Sequence, residues 1–285
     1  MKKKYKPVQA WCREHGYGDV VSVESVGGGC INQGAILQTE SQKSFFIKTN
    51  PRAPSDMFPR EAEGLKALSV EKGPYVPKVY KAEEGFILLE NLQPSPRAKD
   101  YWPDFGCQLA SLHQHTKDHF GFDHDNYIGS TPQKNPWTQS GFRFFAQHRL
   151  LFQAELARNR GHLSGQDMKN IEYIARQLEQ WIPVQEASLI HGDLWSGNAI
   201  TNQAGEPAII DPAAHFGWGE AELAMTNLFG SFPEEFYQAY QEVRPLEPGF
   251  RERFPLYNLY HLLNHLNLFG AGYLSRVRST IASYT

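Results

Sequence analysis

Three oxygen-bearing side chains stand in a spacing that suits phosphoryl transfer to a hydroxyl. Asp193 lies in His191-Gly192-Asp193-Leu194-Trp195-Ser196-Gly197-Asn198, with Asn198 five residues on, and Asp211 ends the apolar run Ile209-Ile210. One carboxylate can accept the proton of an attacking hydroxyl. A second carboxylate and an amide oxygen can hold Mg²⁺, a hard cation that takes oxygen ligands. The metal offsets phosphate charge, which is most of what such a transfer requires. His-Gly-Asp alone is equally consistent with an ordinary turn. The full D-x-x-x-x-N spacing followed by a strand-end Asp argues for chemistry.

The first ninety residues supply candidate partners. Lys48 ends the apolar run Phe45-Phe46-Ile47, and Glu61 falls on the helical pattern that follows. A lone strand-edge lysine is usually a solvated charge, but a strand Lys followed by a helix Glu is also how phosphates are positioned in kinases. Gly27-Gly28-Gly29-Cys30-Ile31-Asn32 follows the first strand. Gly28 and Gly29 would let backbone N–H groups approach phosphate oxygens. A glycine run is more often just a turn, and no Gly-Lys-Ser/Thr follows it. Glu90, Asn91 and Leu92 close the fifth strand, where a linker could offer backbone groups to adenine or simply join two domains.

These residues must be carried by elements the pattern can build. Val20–Val26, Gly34–Thr39, Ser44–Thr49, 79–80 and 85–90 read as strands, with one helix inserted, where Asp56 can cap and Met57, Glu61, Leu65 and Leu68 recur at helical spacing. Beyond residue 92 most periodic segments are helical: 105–112, then Met168 to Ile182, then about 253–269. Residues 120–138 read as a long loop, and 199–201 with 208–210 as a hairpin. The expectation is an α+β, bilobal chain: residues 1–90 as a small antiparallel sheet plus one helix, and 91–285 as a larger, mainly helical lobe. A cleft between such lobes is where ligand sites form.

Composition excludes several classes. With 28 Lys+Arg against 31 Asp+Glu, the net charge of −3 makes an electrostatic nucleic-acid binder improbable. Three cysteines without a C-x-x-C cannot build a disulfide framework. The basic start Met1-Lys2-Lys3-Lys4 is followed by polar residues rather than a signal-peptide core, and no run nears the ~18 apolar residues of a membrane span. A cytoplasmic protein with no membrane or nucleic-acid partner is expected, as a monomer or else a dimer.

The string His191 to Asn198 resembles the fructosamine kinase (ketosamine 3-kinase) family of the protein-kinase-like superfamily, which also holds aminoglycoside phosphotransferases. The segments Gly27 to Asn32, Met57-Phe58 with Glu61 and Gly64-Leu65, Tyr127 to Gln133, Ala224-Met225, Leu228 to Gly230 and Leu262 to Gly270 carry the same likeness. It spans about residues 8 to 280. The resemblance implies an ATP- and Mg²⁺-dependent kinase acting on the third-carbon hydroxyl of a ketosamine, free or protein-bound. The product then eliminates phosphate and frees the amine. It implies Asp193 as proton acceptor, Asn198 and Asp211 as Mg²⁺ ligands, Lys48 with Glu61 on the phosphates, and Glu90 to Leu92 at adenine. Trp195 would either stack on the sugar or serve as a packed aromatic. Two other readings keep part of this picture: a kinase of another small alcohol, or a nucleotide-binding protein without catalysis.

One segment departs from the family pattern Arg-Glu-Ala-Asp-Leu-Ala-Met. Here it reads Gly219-Glu220-Ala221-Glu222-Leu223-Ala224-Met225, which questions any salt bridge there. His113, His115, His119 and His124 crowd together without ligand spacing, and read as helix-end and loop polar residues. His261 and His265 lack the glutamate of H-E-x-x-H and read as packed histidines. Cys30 sits where amide dipoles would favour a thiolate. An oxidisable Cys30, able to block ATP binding through an intermolecular disulfide, is one reading; an unreactive small residue is the other.

Overall fold

The structure is a computed structural model that describes residues 5–27 and 32–285. Gly28, Gly29 and Cys30 lie outside the described residues. Helix α1 (Lys6–Glu14) precedes strands β1 (Val20–Val26), β2 (Gln33–Thr39) and β3 (Ser44–Thr49), helix α2 (Met57–Leu68), and strands β4 (Val79–Glu83) and β5 (Phe86–Glu90). The five strands form one antiparallel sheet in the order β1-β2-β3-β5-β4.

Strand periodicity decides what each face of this sheet does. On β5, Phe86 and Leu88 pack with Val8, Trp11 and Cys12 of α1. Ile87 and Leu89 point the other way and pack with Phe58 and Leu65 of α2. A strand buried on both faces reads as a continuous apolar run, which is what Phe86-Ile87-Leu88-Leu89 is. On β3 the same alternation sends Phe45 and Ile47 to the α1 core and leaves Lys48, opposite Ile87, on the α2 face.

After the linker come α3 (Tyr101–His113), β6 (Thr116–Lys117), β7 (Asn126–Ile128), β8 (Thr131–Gln133), α4 (Gly141–Phe145), α5 (Phe152–Asn159) and α6 (Gly165–Arg176). Next are β9 (Ala187–Ile190), β10 (Ala199–Thr201), β11 (Pro207–Ile209), β12 (His215–Gly217), α7 (Gly219–Leu228), α8 (Glu234–Val243), α9 (Phe250–Phe269) and α10 (Leu274–Ala282). The largest core lies here, with α9 central to it: Leu256, Leu259, Leu263 and Leu266 are fully buried. Among the described residues no helix is long and apolar enough to cross a membrane.

The expected α+β class is the observed one, with four local corrections. Among the described residues the first ninety hold two helices: Tyr5, Val8 and Trp11–Cys12 form an apolar stripe at helical spacing, with Pro7 in the first turn where it is tolerated. The 120–138 segment contains the β7–β8 hairpin, so it is not all loop. α6 ends at Arg176, although Leu178 and Ile182 continue its apolar pattern from a 3₁₀ turn and the bend that follows it. Asp56 precedes α2 without capping it by its side chain, which instead meets Tyr127 and Arg60.

Helices α3 and α8 approach so closely at Gly106 that a Cβ there would stand 2.2 Å from the Phe236 carbonyl oxygen and 2.9 Å from the Tyr240 nitrogen. Both neighbours are backbone and cannot rotate away. Gly106→Ala should therefore lower stability by about 1–3 kcal/mol or more through overpacking, despite alanine's better helix propensity. A thermal midpoint at or above wild type would refute this packing.

Candidate active site

Lys48 is 5% exposed, and such burial requires compensation. Its Nζ donates to Glu61 Oε1 at 2.6 Å and to Asp211 Oδ1. Burial lowers the pKa of Lys48, but the charges of Asp211 and Glu61 outweigh it and leave the ammonium above its usual range. Burial raises Glu61, Lys48 opposes this, and Asp211 adds to it. The Asp211 side chain remains 45% exposed, so it faces both the lysine and the cleft. Its φ is +59°, a left-handed conformation that Asp tolerates better than most residues and that often marks functional sites.

The loop between β9 and β10 brings the second group of candidates beside the first. Ile210 N donates to Asn198 O at 3.1 Å, joining the loop to the segment that ends in Asp211. Asn198 Nδ2 donates to the Asp193 carbonyl at 2.8 Å, which leaves the amide oxygen as its ligating atom. Asp193 is half-buried; burial first and the charge of Asp211 second push its carboxyl well above the usual range. His191 Nε2–H donates to Ile210 O at 2.8 Å, and its Nδ1 accepts from Asp193 N–H at 3.2 Å, which selects one neutral tautomer. Gly192 has φ +82°, and a Cβ would lie 2.3 Å from Ala213 O, so the tight entry into Asp193 requires glycine.

The residue that holds this loop is Glu222 of α7. It is buried, and its carboxylate accepts from His191 N at 2.8 Å, Gly192 N at 2.7 Å and His113 Nε2 at 3.0 Å. Burial opposes its ionisation, but the hydrogen bond from His113, together with the His191 backbone, outweighs it and keeps the carboxyl below its usual range. His113 Nδ1 in turn accepts from the Tyr240 hydroxyl at 2.8 Å. His113, the last residue of α3, is thus a helix-end polar residue as expected, and its burial makes it a support for Glu222. The departing segment also keeps a salt bridge: Glu220 accepts from Arg253 at 2.7 and 2.8 Å, the arginine coming from α9.

The remaining candidates are less tightly gathered. Glu90 turns its carboxylate to the Tyr75 hydroxyl, at 2.9 and 3.0 Å, and to Lys78 N. Asn91 donates to Ser44 Oγ at 3.1 Å, and Leu92 is buried. These side chains shape the linker, and the Glu90 N–H donates to Lys78 O at 2.8 Å. Trp195 is half-buried beside Asp193 and meets Phe229 edge-on at 6.2 Å between ring centroids. His261 is buried, and His265 Nδ1–H donates to His261 O at 2.8 Å. Among the described residues no group of three or more His, Cys, Asp or Glu could hold a metal. Asn198 and Asp211 form a smaller donor set of hard oxygens, which fits Mg²⁺ completed by phosphates and water.

Sequence reasoning missed Glu222, His113 and Arg149. Glu222 was visible as a departure in length, yet its role depends on two N–H groups thirty-odd residues away. Arg149 is a buried cation held by Lys134 O at 2.6 Å and Asn135 Oδ1 at 2.7 Å, with Phe144 at 4.5 Å, and its side chain gave no spacing signal.

The chain matches the family model described as fructosamine kinase over residues 6–285. It is 44% identical to a protein of Synechocystis named a probable ketoamine kinase, over 90% of this chain and 88% of that one. It is 41% identical to the chloroplastic protein-ribulosamine 3-kinase of Oryza sativa, over 98% of this chain and 83% of that one. A crystal structure from Thermobifida fusca, named a "putative fructosamine-3-kinase", superposes with a TM-score of 0.87 at 33% identity and 97% coverage of both chains. The choline kinase of Streptococcus pneumoniae, at 15% identity, TM-score 0.66 and coverage of 99% of this chain and 100% of that one, shares the fold.

Proposed function

The chain belongs to the fructosamine kinase family, and from that premise we propose that it is an ATP-dependent ketosamine 3-kinase with Asp193 as its base. The observation that carries the residue roles is the meeting of Lys48, Glu61 and Asp211 in one ion-paired group, next to the loop that bears Asp193 and Asn198. Lys48 holds phosphate oxygens, and Glu61 fixes the direction of its ammonium. Asn198 and Asp211 hold Mg²⁺, which supplies charge neutralisation on the phosphates when bound. The backbone of Glu90, Asn91 and Leu92 meets adenine.

Asp193 accepts the proton of the sugar hydroxyl while the phosphoryl group moves in line, with no covalent enzyme intermediate. Burial and then the charge of Asp211 raise its affinity for a proton, which favours proton acceptance. Trp195, half-buried beside it, offers a ring face to the sugar. The ketosamine 3-phosphate then loses phosphate by elimination, which makes the reaction a deglycation.

Turnover of Mg·ATP with a ribulosamine and a fructosamine offered side by side tests this reading. Acceptor-dependent ADP release is expected from both, with the higher kcat/KM for the ribulosamine, the substrate named for the rice relative. Absence of release with either, under conditions where ATP binds, would reject the ketosamine acceptor.

A further inference from the structure

The β7–β8 hairpin leaves the helix-rich part of the chain and reaches α2, the helix that carries Glu61. Its root is built rigidly. Asn126 Nδ2 donates to Ala214 O at 2.8 Å, and Gln133 Nε2 donates to Ala213 O at 2.9 Å. Gln133 also donates to Asn126 Oδ1 at 2.8 Å and accepts from the Tyr260 hydroxyl at 2.7 Å. The hairpin is therefore fastened to the main chain two and three residues after Asp211.

From that base two side chains cross to α2. The Tyr127 hydroxyl donates to Asp56 Oδ1 at 2.7 Å, at the first turn of the helix. His124 Nδ1 lies 3.1 Å from Glu63 Oε2. Just past the Glu63 contact, α2 lies directly on the segment after Asp211: a Cβ on Gly64 would stand 3.3 Å from Ala214 and 3.4 Å from Pro212. Asp56 is five residues before Glu61, about 7.5 Å along a helix, so a tilt about the Tyr127 contact is felt at the glutamate.

We propose that Tyr127 and Asp56 are a positioning pair: their hydrogen bond fastens α2 to the hairpin, so that Glu61 stays on Lys48 and both stay in register with Asp211 without a signal from outside the chain. The inference rests on the reading that Lys48 holds nucleotide phosphates. The neighbouring ionisations favour a permanent tie. Burial and then Asp56 push the Tyr127 hydroxyl up to about 12, and the hydrogen bond from Tyr127 is the largest influence keeping Asp56 below its usual range. Donor and acceptor thus keep their protonation states across neutral pH.

The test uses Tyr127→Phe, Asp56→Ala, Asp56→Asn and the Tyr127→Phe/Asp56→Ala double variant. Each is read by kcat, by KM for Mg·ATP and for the acceptor separately, by affinity for a non-hydrolysable ATP analogue, by amide exchange over residues 57–68, and by thermal midpoint. Tyr127→Phe and Asp56→Ala should each weaken analogue binding or raise KM for ATP by about tenfold, the scale of one charge-assisted hydrogen bond. They should also speed exchange in α2, with acceptor KM unchanged. Asp56→Asn, whose amide oxygen still accepts, should stay near wild type, and the double variant should be no worse than either single one.

A thermal midpoint that falls while KM for ATP and α2 exchange hold would overturn the proposal, as would additive losses in the double variant. If wild type turns over no ketosamine, the acceptor assignment fails while analogue affinity and exchange still decide this pair. If the analogue does not bind wild type, the phosphate role of Lys48 fails. Exchange in α2 then tests the tie alone, and unchanged exchange in Tyr127→Phe overturns it.

Discussion

Asp193→Asn should lower kcat by about 10²–10⁴-fold, the range for losing a general base, and leave Mg·ATP affinity near wild type. The substitution removes proton acceptance and little else. Asn198 donates mainly to the main-chain carbonyl of Asp193, at 2.8 Å, and only at 3.4 Å to its carboxylate. The Asp193 N–H still meets His191, so the loop keeps its shape.

Stability should move the opposite way from activity. A carboxyl whose folded pKa is raised is penalised by folding when ionised, and that penalty grows as pH rises from the unfolded value of ~3.9 through the folded one. Near neutral pH the neutral amide escapes it. The thermal midpoint of Asp193→Asn should therefore equal or exceed that of wild type, the usual trade-off at an active site. Wild-type turnover would remove Asp193 from the mechanism. A large loss of stability would instead mark it as structural.

The same contrast explains what could be read from the chain alone. The gathering of Asp193, Asn198, Asp211, Lys48 and Glu61 was legible because short local spacing sets out those atom types in an order that phosphoryl transfer can use. The sheet was legible because β2 and β3 alternate and β5 is apolar throughout. α1 was passed over although Tyr5, Val8 and Trp11 carry the helical period, because lysines and Pro7 dominate its start. The hairpin inside 120–138 was hidden because strands of three residues leave no period to count. Glu222 and the Tyr127–Asp56 contact were invisible for a deeper reason. Each joins residues thirty or more positions apart, and nothing local distinguishes a buried carboxylate that holds a loop from one on a solvated helix face.

That reasoning leads to the second large effect, at Glu222. Its two oxygens accept from the N–H groups of His191 and Gly192, and one also accepts from His113. Glu222→Gln would turn an amide NH₂ toward at least one of these donors in a site closed to water. Breaking such a buried, hydrogen-bonded pair costs about 3–5 kcal/mol. Because the freed groups precede Asp193, the fraction that stays folded should also lose kcat, and a displacement of about 1 Å can cost ~10²-fold. Glu222→Asp should fall between the two, since the shorter arm cannot span both N–H groups from the same helix position.

Acidity separates this role from simple packing. In wild type the folded pKa of Glu222 is depressed, so its contribution is complete above the unfolded value of ~4.3 and fades as pH falls through the folded one. His113 is also lowered, by burial first, and Glu222 partly offsets that burial. Stability therefore begins to fall as pH drops below the unfolded histidine value of ~6.5. Without the carboxylate His113 loses its compensation, its folded pKa falls further, and Glu222→Gln should lose stability more steeply than wild type below that pH. Denaturant unfolding at a series of pH values measures both slopes; parallel curves would leave Glu222 as a packing residue and assign the hold on the catalytic loop elsewhere.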